Sequence, residues 1–169
     1  MNQLYTIVSG THRKDSNTLK IARYYESVLQ EKGQRYEFFT LEEWKSFERD
    51  AHFIELEKKY MVPASKLIFI VPEYNASIPG ILKLMIDCSD YKGVWPNKKA
   101  LITGVAIGRS GNIRGIDHLS NILQYLNVTV HPNKLPISLV HTLLDEHGML
   151  KDAAVLAAIH AQLNSFIDF

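Results

Sequence analysis

The chain has 169 residues, with 19 Lys and Arg against 18 Asp and Glu, a formal net charge of +1, and 46% hydrophobic residues. That composition excludes a disordered chain and fits one domain over residues 1–169, which buries about two thirds of its unfolded surface without staples. The balanced charge excludes the basic excess of a nucleic-acid binder and the acidic face of a field-steered electron carrier.

In chain order, the first element is an apolar strand, Leu4 to Ser9. The run from Met1 to Ser9 has neither a basic lead nor a cleavage site, so it does not read as a signal peptide. Thr18 to Lys32 follows as a helix with Leu19, Ala22, Tyr25, Val28 and Leu29 on one stripe, and Gly33 is placed to stop it. Tyr36 to Phe39 is a second strand. Leu41 to Tyr60 is expected as a polar helix, within which Lys45 to Lys59 reads as a mobile excursion. Trp44, Phe47 and Phe53 there either pack on the sheet or form a partner surface. Leu67 to Val71 is a third strand. Ile78 to Asp90 is a helix carrying Ile81, Leu82, Met85 and Ile86. Cys88 lies on its apolar run and reads as a buried, inert thiol; as the sole cysteine it permits no intramolecular disulfide and fits a reducing compartment. Asp87 is expected to pair with a cation, and Trp95 to be structural.

Ala100 to Val105 is the fourth strand, and Asn112 to Leu126 a helix with Ile116, Leu119, Ile122, Leu123 and Leu126 inward. Val128 to Val130 is the fifth strand, with an extension allowed near Leu135 to Ile137 and a Pro-containing loop over Val130 to Pro136. Ala153 to Phe166 closes the chain as a helix. The first, third and fourth strands are apolar at successive positions, the pattern of strands covered on both faces. The alternation predicts an α/β, doubly wound, five-stranded parallel sheet with helices on both faces. No apolar run approaches the ~18 residues of a membrane span, and a cytoplasmic protein is expected.

In an open parallel sheet, ligands bind beyond the carboxyl ends of the strands. Three strand exits are unusual. After the first come hydroxyls, an amide and two cations, from Ser9 through Thr11, Arg13, Lys14, Ser16, Asn17 and Thr18, leading directly into a helix. A helix N-terminus offers free N–H groups and a positive dipole end, which suit phosphate. It is neither a Walker A loop nor G-x-G-x-x-G, and Ser16 or Asn17 also suits simple helix capping. After the third strand come Pro72, Glu73, Tyr74 and Asn75. After the fourth comes a loop with Gly104, Gly108, Gly111 and Gly115, where backbone can approach a flat ligand. The seven histidines form no metal spacing, so no metal site is expected.

These motifs resemble the NADPH-dependent FMN reductases, whose members reduce flavins, quinones, azo dyes and chromate on a flavodoxin-like fold. Gly10-Thr11-x-Arg13-x-x-Ser16 is similar to that family's phosphate loop. Pro72-Glu73-Tyr74-Asn75, Ser77, Pro79-Gly80, Leu82-Lys83 and Ile86-Asp87 are similar to its long second motif. The family's Asn, Ala and Trp on the following helix are Leu84, Met85 and Cys88 here. The resemblance implies that Ser9, Thr11, Arg13, Ser16, Asn17 and Thr18 surround the FMN phosphate. It implies that Pro72, Glu73, Tyr74 and Asn75 line the ring, with Tyr74 stacking or covering it, and that Ser110, Gly111 and Asn112 approach from the third loop. It further implies hydride transfer from NADPH to flavin N5, then electron transfer to a second acceptor by ping-pong, with no catalytic side chain. Arg13, Lys14 or Arg109 either attract the nucleotide's phosphates or are merely solvated. A homodimer or homotetramer is implied. The alternative class is a flavodoxin-like electron-transfer or FMN-binding protein without NAD(P)H turnover.

Overall fold

Residues 3–169 are described by the structure, a computed structural model; Met1 and Asn2, the start of the Met1 to Ser9 run, lie outside the described residues. Leu4–Ser9 (β1), Lys66–Pro72 (β3) and Lys99–Val105 (β4) form the centre of the sheet, and β1 and β3 are buried at every position. Arg35–Thr40 (β2) pairs with β1, while Thr129–Val130 (β5) and Leu135–Ile137 (β6) both pair with β4. All pairings are parallel, in the order β2-β1-β3-β4-β5, with β6 beside β5 on the same edge of β4.

Side chains alternate across the sheet, and each face carries its own core. Tyr5, Ile7, Ile68, Ile70 and Leu101 meet Asn17–Glu31 (α1) and Ala153–Asp168 (α6) through Ile21, Tyr25, Val28, Ile159, Leu163 and Phe166. Val8, Leu67, Phe69, Val71 and Ile102 meet Gly80–Cys88 (α3) and Ile113–Tyr125 (α5) on the other face. Tyr91–Val94 (α4) is a single turn after α3, and Trp95 is buried beyond it with its Nε1 donating to Ser89 Oγ at 2.6 Å.

Two expectations are corrected. The polar helix over Leu41 to Tyr60 is broken into a 3-10 turn at Leu41–Glu43, a short helix at Ala51–Leu56 (α2) and a π-helical turn at Glu57–Met61. The break follows from Trp44, which is buried in the core and donates to Glu48 O at 3.1 Å, pulling the chain out of helical register. Asp50 then restarts the helix by accepting from Phe53 N at 2.8 Å. Nor is Lys45 to Lys59 an excursion. Phe53 and Leu56 pack in the core beside Trp44, and buried Glu57 binds Arg49 at 2.6 Å and Asp90 N at 2.7 Å. Phe47 alone of the three aromatics is exposed.

The fifth strand is interrupted by residues 131–134, so its two halves meet different stretches of β4. The interruption is pinned from α6: Gln162 Nε2 donates to Asn133 O at 2.9 Å. Gln162 Oε1 also accepts from Tyr25 OH at 2.5 Å and Thr103 Oγ1 at 3.0 Å, so a buried polar triad ties α1, β4 and α6 together. Burial pushes the Tyr25 phenol up from its ordinary value. Buried His131 accepts from Asn133 N at Nδ1 (3.3 Å), which leaves Nε2 carrying the proton toward Ser165 Oγ at 3.1 Å; burial holds its pKa down. Pro136 is tolerated in β6 because that strand is an edge.

Candidate functional site

The chain leaves β1 for α1 on one face of the sheet and leaves β3 for α3 on the other, although β1 and β3 are neighbours. That reversal opens a crevice at their carboxyl ends. The three loops singled out from the sequence all end there.

The first loop is anchored by Gly10 N donating to Ile70 O at 2.9 Å, which continues the β1–β3 pairing past the strand. Thr11 is buried beneath it. Ser16 is the N-cap of α1, accepting from Leu19 N at 3.1 Å. Its hydroxyl proton stays available to an outside acceptor, since that contact uses only a lone pair. The N–H groups of Asn17 and Thr18 lie in the first helical turn, where no intrahelical acceptor exists.

The second loop continues β3 by Glu73 N donating to Val105 O at 3.0 Å. Tyr74 and Ser77 then pair in both directions, at 2.9 and 3.1 Å, around Asn75 and Ala76. Those two residues have φ of 51° and 60°, the geometry of a type I′ turn. Asn tolerates it; Ala does so only at a cost of roughly 1 kcal/mol. The turn is braced by Ser77 Oγ, 2.8 Å from His118 Nδ1 on α5. Tyr74 OH lies 2.9 Å from Thr11 Oγ1, and the Arg13 guanidinium carbon sits 4.4 Å from the Tyr74 ring centroid. Glu73 accepts from Ser110 Oγ, which joins the second loop to the third.

The third loop is fastened from β6 and the residues just after it. Ala106 N donates to Ile137 O, Leu139 N to Gly108 O and Val140 N to Ala106 O, each at 3.0 Å. A cavity of about 340 Å³ runs from Thr11, Arg13 and Ser16–Thr18 past Pro72–Tyr74 to Val105–Ile107 and Val140. A second, of about 430 Å³, adjoins it through Glu73, Ala106 and Ile107 and reaches Asn75, Ala76 and Gly108–Ser110. A larger cavity of about 480 Å³ lies elsewhere, between α3 and α5, and has none of these polar groups.

Thr11, Arg13, Ser16, Asn17, Thr18, Pro72, Glu73 and Tyr74 therefore share one cleft, with Asn75 and Ser110 in its extension. Three expected residues stand apart. Ser9 is buried at the end of β1 with no partner for its hydroxyl among the described residues. Asn112 is buried, and its Nδ2 donates to Val71 O at 2.9 Å, so this side chain ties the start of α5 to β3 instead of facing the cleft. Gly111 has φ of 60° and lies against β6, where a Cβ would come within 2.7 Å of Pro136 Cβ; its small size serves packing. The Tyr74 ring is also placed differently: it lies against the first loop, under Arg13. Ala106, Ile107 and Val140 were not singled out as site residues. Val140 has no local signal, because a return of the chain after β6 brings it to the cleft.

The donor set fits a phosphate: the hydroxyls of Ser16 and Thr18, the Arg13 guanidinium and the N-terminus of α1 lie at one end, while an apolar wall and a polar turn occupy the other. FMN has that division into phosphate and heterocycle. Among the described residues no group of three or more His, Cys, Asp or Glu could hold a metal, and no helix is long and apolar enough to cross a membrane.

The fold is that of a flavodoxin-like α/β protein, with a cleft at the β1/β3 switch point that is rich in hydroxyls at one end and apolar at the other. Residues 5–142 match the family model of the NADPH-dependent FMN reductases, and the chain belongs to that family. It is 34% identical over 117 residues to an NAD(P)H-dependent FMN reductase of Pseudomonas aeruginosa, spanning 66% of this chain and 62% of that relative's length. A 2-hydroxy-1,4-benzoquinone reductase of a Burkholderia species is 27% identical over 132 residues, covering 73% of this chain and 72% of its own. The flavoenzyme NAD(P)H:(acceptor) oxidoreductase of Paracoccus denitrificans shares the fold, with a TM-score of 0.77 at 20% identity over 99% of this chain and 96% of its own.

Proposed function

We propose that this protein is an FMN-dependent NAD(P)H oxidoreductase that passes electrons to a second small acceptor such as free flavin, a quinone, an azo compound or a metal oxyanion. The observation that carries the reading is the single cleft joining the N-terminus of α1, with Thr11, Arg13, Ser16 and Thr18, to the Pro72–Asn75 turn. The two named relatives, one an FMN reductase and one a quinone reductase, support it.

FMN, when bound, supplies hydride acceptance and electron delivery. What the chain supplies is binding. Ser16, Thr18 and the N–H groups of Asn17 and Thr18 hold the phosphate, and Arg13 balances its charge. Glu73 N–H and both Tyr74 backbone groups are already paired within the fold, so Asn75 is what this turn would offer to a flavin's heterocycle. Ala106, Ile107 and Val140 line the cleft and would give such a ring an apolar wall, with Ile107 exposed at its rim. NADPH is the proposed reductant, with the exposed Arg109 at the outer cavity as a phosphate partner.

The same reading proposes a homodimer or homotetramer in the cytoplasm. Exposed Leu84 on α3, with Tyr91 and Tyr125 beside the α3/α5 groove, supports self-association. Sedimentation of the purified protein tests it.

The test of function is the visible spectrum after adding FMN and removing the excess, followed by anaerobic NADPH. Retained flavin that bleaches supports the reductase. Retained flavin that does not bleach assigns an electron carrier, and no retained flavin refutes the reading.

A further inference from the structure

We infer that Tyr74 is a positioning residue for Arg13 and thereby sets a preference for a phosphorylated flavin over an unphosphorylated one. The inference rests on the proposed FMN reading, and it moves Tyr74 from the ring end of the cleft to the phosphate end.

Arg13 belongs to an exposed loop and forms no ion pair with a carboxylate among the described residues. A free arginine there would sample many rotamers. Instead its guanidinium lies 4.4 Å from the Tyr74 ring centroid, within cation–π range. Tyr74 can hold it because Tyr74 is itself fixed at both ends. Its hydroxyl meets Thr11 Oγ1 at 2.9 Å, and its backbone N–H and C=O both pair with Ser77. The stack leaves the guanidinium's N–H edge available, since the ring engages only its face.

A phosphate entering the cleft thus meets a fork that is already ordered, without the entropy loss of immobilising a long side chain. An unphosphorylated flavin gains nothing from that order. Removing the aromatic ring should therefore weaken FMN and leave riboflavin's phosphate-independent contacts as the internal reference. The ratio of the two dissociation constants isolates the effect from any change at the ring end.

The experiment measures dissociation constants for FMN, riboflavin and inorganic phosphate in the wild type, Tyr74→Leu, Tyr74→Phe, Arg13→Ala and the Tyr74→Leu/Arg13→Ala double variant. Flavins are followed by fluorescence quenching and phosphate by calorimetry. Tyr74→Leu is expected to lower the riboflavin-to-FMN ratio by about fivefold and to weaken phosphate by a similar factor. Tyr74→Phe, which keeps the ring but loses the Thr11 contact, should give a ratio between those of the wild type and Tyr74→Leu. In the Arg13→Ala background Tyr74→Leu should change the ratio no further, because nothing is left to position. An unchanged ratio in Tyr74→Leu, or an equal drop with and without Arg13, overturns the proposal while leaving the FMN reading intact. Wild-type protein that binds no FMN overturns that reading, and the phosphate series still decides whether Tyr74 acts through Arg13. Wild-type protein that binds neither ligand overturns both.

Discussion

Replacing Asn112 by Asp changes one amide into a carboxyl of the same shape at a fully buried position. The backbone there has φ of 65°, which Asp tolerates as Asn does. Asn112 Nδ2 donates to Val71 O at 2.9 Å. A carboxylate would turn an acceptor toward that acceptor, and a buried uncompensated charge costs about 3–5 kcal/mol. Protonation limits the loss, because a neutral carboxyl can donate to Val71 O as the amide does. Holding a carboxyl protonated at pH 7 costs about 1.4 kcal/mol for each unit above its unfolded value of ~3.9, or about 4 kcal/mol. The folded pKa is raised above the unfolded one, so the penalty grows as pH rises above ~3.9 and fades as pH falls toward it. The expected destabilisation is therefore about 3–4 kcal/mol at pH 7, roughly 6–15 °C in Tm, and about 1.5 kcal/mol at pH 5. Urea unfolding followed by circular dichroism, variant against wild type at both pH values, measures it. A pH-independent difference, or one below about 1 kcal/mol at pH 7, refutes the structural role. Lost FMN affinity at undiminished stability would return Asn112 to the ligand.

Arg13→Ala and Ser16→Ala are each expected to weaken FMN about 10–100-fold in fluorescence titration, the range of a charge-assisted phosphate contact. Ser16→Ala also removes the cap on Leu19 N and about 1 kcal/mol of stability; unchanged FMN affinity in both variants would remove the first loop from the site. His131 has a folded pKa below its unfolded value, so its contribution is full above about pH 6.5 and is lost as pH falls through the folded pKa. His131→Asn should flatten that acid-side decline in urea midpoints, and an unaltered slope would contradict the assignment. Gln162→Leu strips partners from Tyr25, Thr103, Ile102 O and Asn133 O at once. About 3 kcal/mol should be lost in urea unfolding; a loss below about 1 kcal/mol would mean the triad contributes little.

Sequence alone determined the layered α/β fold and the edge of the sheet where the candidate cleft lies. β1, β3 and β4 were legible because strands buried on both faces must be apolar at successive positions. The stripes of α1, α5 and α6 were legible because each presents one apolar face to the sheet. The hydroxyl run before α1 and the Pro72–Asn75 stretch stood out because polar residues at buried strand exits have no packing reason to be there.

Tertiary structure decided what local pattern does not encode. Trp44 looks helical by neighbourhood, yet its burial breaks the segment from Leu41 to Tyr60. Ser110 and Asn112 stand two residues apart in one loop. Ser110 reaches across to Glu73, whereas Asn112 turns inward to Val71 O. Tyr74 reads as stacking on or covering a ring, and its observed contacts are Thr11 through the hydroxyl and Arg13 over the ring face. Val140 reaches the cleft only because its N–H bonds Ala106 O. Periodicity records which face of an element is buried, which is a local property. The directions of Ser110, Asn112 and Tyr74 are set by partners 37 to 63 residues away, and those partners meet only once the sheet has formed.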